Sequence, residues 1–449
     1  MTQTAAVVVP IPHDALTVLL LQIGVLLAAA LLLGRLARRL GMPSIVGELT
    51  AGVLLGPSLL ARVVPQAEQG LFPQDAAQMH LLDAVGQFGV VLLVGFTGMH
   101  LDLKLVRRQG RRAAVVSAAG LIVPLVLGVW LGFALPGELR AEGADPTVFA
   151  LFVGVAMCVS AIPVIARTLL DMKLIHRNVG QMILVAGTVD DAVGWLLVSL
   201  ITAMATTGLH TGEVTLALTR MAVLLVLTMT VGRYVVRAAM RAATRSGTPG
   251  RAVTTAVVLI MLSAAGAQAL GLEAVFGAFL CGVLIGSSKD IDTAALHPLN
   301  ITVIAVLAPL FFATAGLRMD LGALADPQVA VWGLAVFGIA VLGKFAGAYL
   351  GGTLSGMNRW ESTALGAGMN ARGVIEVIIA MIGVRIGLLT VEMYSVVVLV
   401  AVLTSLMAPP LLRMSMKRVE HTAEEEMRKL RLPSTGGSTA DGKDPVALP

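Results

Sequence analysis

Two carboxylates stand side by side at Asp190 and Asp191, inside the otherwise apolar run "VAGTVDDAVGWLLVSLITAM" over residues 185–204. A partly desolvated carboxylate with a second one beside it can hold a proton or a monovalent cation, but not both well. Adjacent residues on a helix diverge by about 100°, so the two cannot face one partner. One can line a water-filled cavity while its neighbour meets another helix. The bland alternative is a buried carboxylate capped by a hydroxyl such as Thr188. Lys344, in "VFGIAVLGKFAGAYLGG" (336–352), is the only lysine deep in an apolar run. An intramembrane cation pairs with an intramembrane anion, and the aspartate pair is the matching group.

Two further stretches combine apolar residues with breaks. In "VAMCVSAIPVIARTLL" (155–170), Pro163 removes a donor and strains the carbonyl one turn earlier, near Val159 and Ser160. The break is expected over Ser160, Ala161, Ile162 and Pro163. In "LGAGMNARGVIEVIIAMIG" (365–383), Asn370, Ala371, Arg372 and Gly373 interrupt the span. Carbonyls freed at such breaks coordinate a cation or water, and half-helix ends need countercharges. Glu376, just past the second break, and Glu48, in an early apolar run, are each a proton site or a structural partner for Arg372.

These residues must be positioned by membrane-spanning helices. The 449 residues are 57% hydrophobic and only 13% charged, with a mean hydropathy of +0.88. A soluble chain would carry about 25% charged residues. Apolar runs of about 18 to 25 residues, each enough to cross a bilayer, recur along the chain without strand-like alternation. The fold class is therefore all-α and polytopic. Thirteen spans are expected, at 14–39, 43–60, 79–98, 111–135, 147–171, 178–207, 213–241, 251–270, 272–288, 296–317, 329–353, 360–387 and 391–414. The first follows Asp14 without a basic leader or cleavage site and is read as a retained helix. Basic residues sort by side. Arg62, Arg140, Arg318 and Arg385 fall in one set of loops, Arg220, Lys344 and Arg372 inside spans, and the rest of the 32 Lys and Arg on the other side. That asymmetry puts the amino terminus outside and the carboxyl terminus in the cytoplasm, with the inner (plasma) membrane as the expected location.

The segments "GMPSIVGELTAGVLLGPS" (41–58) and "GLEAVFGAFLCGVLIGSS" (271–288) match at seven of eighteen positions, and "GMHLDL" (98–103) is followed in the same order by "GLRMDL" (316–321). The transmembrane domain, 1–414, is thus read as two six-helix repeats, about 14–207 and 251–414, joined by a linker helix at about 213–241. Seven crossings separate their starts, so the repeats are inverted, as in secondary transporters with a site at the midplane. The two broken stretches fall at equivalent places in the repeats. Residues 415–449 are read as a short cytoplasmic tail, largely disordered; residues 421–449 are expected to be dispensable for transport, while the short helical stretch in "HTAEEEMRKLRL" can still dock and tune the pH response. Cys158 and Cys281 lie in apolar runs as small buried thiols. The sequence holds no metal-ligand cluster, nucleophile motif or Walker loop, which points away from an enzyme and from any cofactor. The net charge of +5 is an orientation signal rather than a nucleic-acid surface.

The runs "PSIVGELTAGVLLGPSLL", "DD", "PLFFATAGLRMDL", "GKFAGAYLGG" and "MNARGVIEVIIAMIG" together resemble the monovalent cation:proton antiporter-2 family, within the sodium/proton exchanger superfamily, over about residues 15–415. The resemblance implies crossed discontinuous helices, a dimerisation domain, a mobile core domain and a homodimer in the lipid membrane. It implies that Asp191 binds the ion and proton, and that Asp190 pairs with Lys344. It also implies exchange of Na+ or K+ (or Li+) for H+ by an elevator-like motion. Two departures stand out. Potassium-efflux members carry Gln-Asp and a nucleotide-binding domain, for which this tail is far too short. Some relatives place Glu directly after Arg-Gly, where Val374 stands here, a pattern closer to plant-type cation/proton exchangers. If only the neutralised site crosses, competition at Asp191 couples proton entry to cation exit. Opening of the Asp190–Lys344 pair would then release a second proton, giving two protons per cation. Proton-coupled efflux of an organic metabolite, or a gated cation channel or sensor on the same fold, are the alternatives.

Overall fold

The computed structural model describes residues 11–73, 75–100, 103–207, 211–245, 249–288, 293–422 and 425–426. Among these the regular structure is helical, and the one β contact is an isolated bridge between Arg140 and Leu389. The helices used below are α1 (His13–Arg39), α2 (Ser44–Leu55), α3 (Ala76–Met99), α4 (Leu103–Ala134), α5 (Pro146–Cys158), α6 (Ile162–Asp171) and α7 (Asn178–Thr207). There follow α8 (Thr211–Leu227), α9 (Arg233–Arg245), α10 (Pro249–Ala269), α11 (Ala274–Ser287) and α12 (Ala308–Leu317). The chain closes with α13 (Pro327–Leu354), α14 (Arg359–Met369), α15 (Val374–Arg385) and α16 (Val391–Met416). Among the described residues ten helices are long and apolar enough to cross a membrane, or eleven if the bent α14–α15 pair counts as one span. Reaching the expected thirteen also requires α5 with its continuation α6, and α11, whose helices of 13 and 14 residues are too short to pass on length alone.

Two bundles account for most of the packing. Helices α1, α2, α3, α10, α11 and α12 pack on one another; α4, α5, α7, α13, α14 and α16 form the second group, with α6 on α7 and α15 on α16. Between them α8 rests on α7, and α9, continued from α8 through a π-helical turn, rests on α10 and α11. Small residues let backbones close in the absence of a hydrophobic drive between helices in lipid. A Cβ on Gly52 of α2 would stand 1.9 Å from the Ala313 carbonyl oxygen of α12. A Cβ on Gly282 of α11 would stand 1.9 Å from the Gly95 oxygen of α3. These glycines share a register in the internal match, and each grips a helix of the opposite half. Exposed leucines along α1 and α13, such as Leu32, Leu334 and Leu342, leave apolar flanks suited to lipid.

Several boundaries differ from the sequence reading. Helix α4 is helical from Leu103 but kinks at Gly110, whose φ of 49° marks the entry to the expected span. The first break lies over Val159–Ala161, so Ile162 and Pro163 open α6 instead of belonging to the gap. Proline at the start of a helix forfeits no hydrogen bond, because the first N–H groups have no partner within the helix. The start of the tail docks, as its short helical stretch allowed. Helix α16 runs to Met416, and Val419, Glu420 and Glu425 dock the start of the tail on Arg177 and Asn178; beyond Thr422, only Glu425 and Glu426 are among the described residues.

Candidate ion site at the crossed helix breaks

The two interruptions meet in the second bundle. The Ala161 N–H donates to the Ala371 carbonyl at 3.3 Å, and the Ser160 hydroxyl stands 3.2 Å from the Met369 carbonyl. Asn370–Gly373 is the gap between α14 and α15, and the two helices bend by 46° across it. Gly373 takes a φ of 155°, and a Cβ there would press on Val164. Each break leaves carbonyls at the end of a half-helix with no intrahelical donor.

Lys344 satisfies three acceptors at this junction. Its ammonium donates to Asp190 Oδ2 at 2.6 Å, to the Cys158 carbonyl at 2.5 Å and to the Gly120 carbonyl at 3.0 Å. Both vacated carbonyls have a local cause. Cys158 ends α5, and Gly120 lies four residues before Pro124, which has no N–H to return to it. Glycines 343, 347 and 351 bring α13 against α4 closely enough for the lysine to reach. Lysine has three donors, and all three are used.

Asp190 is held from other sides as well. The Ser117 hydroxyl donates to Oδ1 at 2.6 Å, and Ser160 stands 3.3 Å from Oδ2 with its single hydrogen shared between that oxygen and Met369. Asp190, Asp191 and Lys344 are all fully buried. Asp191 is turned about 100° round α7 from Asp190. Thr188, one turn earlier on its face, donates to the Leu184 carbonyl at 2.8 Å and does not cap Asp190. Asn370 is fully buried, and neither amide atom finds a protein partner among the described residues.

Arg372 closes the other half of the junction. Its guanidinium donates to the Ala156 carbonyl at 2.9 Å, to the Met157 carbonyl, and to Ala340 at 3.0 Å, and it pairs with Glu376 at 3.1 Å. With Lys344 on Cys158, two cations thus cover the last three carbonyls of α5, where the helix dipole is negative. The Ser405 hydroxyl donates to the Arg372 carbonyl. Glu376 is therefore the partner of Arg372. Glu48 is not; it lies in α2 with its Cγ 3.5 Å from where a Cβ on Gly34 would be. The sequence reading missed Ser117, the Gly120 and Cys158 carbonyls, and the covering of α5 by Arg372. Pro124 four residues after Gly120 was the available signal. Nothing local marks Ser117.

A further contact ties the tail to the aspartate helix. Arg177, just before α7, pairs with Glu425 at 3.0 Å and donates to the Val419 and Glu420 carbonyls at 3.1 and 3.0 Å. Glu425 accepts from the Asn178 N–H at 2.7 Å and so caps α7 from outside. Burial alone would raise the Glu425 carboxyl. The N–H groups of Asn178 and Thr422, with Arg177, outweigh it and hold the carboxyl below the usual carboxylate range. A depressed folded value means the contribution to docking is complete above the ordinary carboxylate range and is lost as pH falls through the depressed one. Hydrogen exchange at residues 419–422 and 425–426 should therefore stay protected at neutral pH and open in acid. Glu425→Gln should lose protection about tenfold or more at neutral pH, since a charged hydrogen bond contributes roughly 1.5–3 kcal/mol. Equal protection in the variant would mean the tail is held by other contacts.

Residues 25–418 match the family model described as sodium/hydrogen exchanger, transmembrane. The Na(+)/H(+) antiporter NhaS4 of Synechocystis is 30% identical over 400 residues, covering 89% of this chain and 97% of its own length. Cation/H(+) antiporter 17 of Arabidopsis thaliana is 31% identical over 414 residues, covering 90% of this chain but 48% of its own, so the chain spans about half of that plant relative. Among solved structures, the sodium proton antiporter MjNhaP1 of Methanocaldococcus jannaschii superposes with a TM-score of 0.62 over 90% of this chain and 99% of the other, at 14% identity. At that identity the likeness is one of fold.

Proposed function

The chain belongs to the sodium/hydrogen exchanger family, and from that premise we propose that it exchanges a monovalent cation, Na+ or K+, for protons across a membrane by alternating access. One observation carries the assignment of residues: Asp190 is committed to Lys344, Ser117 and Ser160. Exchange at Asp190 would strand Lys344 as a buried charge, which costs several kcal/mol. Proton and cation therefore compete at Asp191. Asn370, buried with its amide unmatched, supplies a neutral oxygen ligand, and Thr188 an open lone pair beside the carboxylate. The ion and proton are substrates, and the proton gradient drives the cycle.

The second bundle, carrying the crossed breaks, moves against the first, and two copies associate into a homodimer through the first. The amino terminus lies outside and the tail in the cytoplasm of the plasma membrane. In acid-loaded proteoliposomes, external Na+ or K+ should release protons. Proton movement only with organic cations would identify a metabolite carrier instead. Cation conductance without proton movement would identify a channel.

Opening of the Asp190–Lys344 pair on cation entry supplies a second proton, so exchange moves net charge. Steps in cation concentration on supported membranes should then give transient currents. Proton flux without current would mean one-for-one exchange, with Lys344 a structural partner only.

A further inference from the structure

Beyond Asp191, helix α7 carries Trp195, Ser199 and Thr202, spaced four, eight and eleven residues on. At about 100° per residue these fall within roughly 80° of the Asp191 direction, forming one stripe. The stripe continues to Thr206, which is exposed, about 22 Å along the axis from Asp191. Trp195 is among the largest fully buried side chains, at 1% exposure, with Ser199 at 0% and Thr202 at 7%. The indole Nε1, Ser199 Oγ and Thr202 Oγ1 are all buried with no protein partner among the described residues.

The other half of the same face behaves differently. Thr188 donates to Leu184, and Gln181 donates to the Ile175 carbonyl at 2.7 Å. The face that carries Asp190 and Gly194 is packed on the first break, just past α5, where a Cβ on Gly194 would meet Val159. Each buried polar group without a partner costs about 1–3 kcal/mol. Three such groups in register, starting one turn from a carboxylate, are not packing residues; Val, Leu and Phe would pack without that cost. A helix that must be dry in one state and wetted in another has reason to keep them.

We propose that Trp195, Ser199 and Thr202 line the path by which cation and proton pass between Asp191 and the membrane face opposite the tail, with the Trp195 indole closing that path over the carboxylate. The inference rests on the alternating-access reading above. The present structure is closed on that side, and the stripe is solvated when the second bundle moves. Hydroxyl oxygens can coordinate a partly hydrated cation in passing without binding it tightly, and the indole N–H, a donor only, can hold one of its waters.

Ser199→Cys and Thr202→Cys test this. The wild type, whose Cys158 and Cys281 are buried, serves as the blank. A membrane-impermeant thiol reagent is applied to vesicles whose orientation is fixed by protease access to a tag on the tail. Both variants should react from the face opposite the tail, roughly tenfold or more faster than from the tail side, because a minor open state limits the rate. No reaction from either face, or faster reaction from the tail side, in vesicles that still exchange cations for protons would overturn the path. Should one variant not assemble, the other decides the question by itself. Proton flux is measured on the same vesicles. Absence of cation-driven flux in the wild type, with labelling as expected, would refute exchange and leave the solvated stripe standing.

Discussion

Asp191→Asn should reduce cation-driven proton flux in proteoliposomes to the level of protein-free vesicles, while the protein folds and melts within a few degrees of the wild type. The amide nearly conserves the volume of the carboxylate, so packing on α7 is unchanged. It cannot release a proton, and it lacks the charge that an incoming cation must neutralise to cross. Both halves of the cycle fail together. Asp190→Asn provides the contrast, because it frees Lys344, Ser117 and Ser160 from their common acceptor and should lower stability as well as flux. Retention of more than a small fraction of wild-type flux in Asp191→Asn would remove Asp191 from its role.

Lys344→Ala should destabilise the protein by about 3 kcal/mol or more, the usual loss when one member of a buried ion pair is removed. The charge on Asp190 is then buried without its counterion, at a site where both members are fully buried. Adding Asp190→Asn removes that charge and should recover much of the loss. Recovery should stop short of the wild type, because the Gly120 and Cys158 carbonyls lose their donor in either background. The comparison is made in detergent thermal melts of the two single variants and the double. Losses that simply add would show that the residues do not meet in the membrane.

Much of this was legible in the chain itself. Apolar runs of bilayer length define a helical membrane protein, because hydrocarbon tolerates no unsatisfied backbone and only helices or closed barrels meet that demand. The carboxylate pair, the lone deep lysine and the two interrupted spans are conspicuous because charge and proline are costly there. Asn370–Gly373 coincides with the gap in the structure, since consecutive Asn-Ala-Arg-Gly offers no apolar surface to continue a span. Proline was a poorer guide: Pro163 starts α6 and the gap precedes it, as expected of a residue whose missing N–H is harmless only in a first turn.

Other features depended on contacts between distant segments. Sequence spacing left both Glu48 and Glu376 open as a proton site or a partner of Arg372, and only packing decides between them. Glu376 sits four residues on, in the first turn of α15, while Glu48 is held in α2 beside Gly34. The tail's short helical stretch was open to docking, but only the fold shows where: Glu425 reaches back 247 residues to cap the aspartate helix. Ser117 has no mark in sequence, because a single hydroxyl in an apolar helix is cheap until a carboxylate faces it. Composition and periodicity thus determined the class of molecule and the residues too costly to be incidental. Tertiary structure decided which of those residues meet, because a buried donor finds its acceptor through the free ends of helices far away in the chain, such as the carbonyls of Gly120 and Cys158 that Lys344 joins to Asp190.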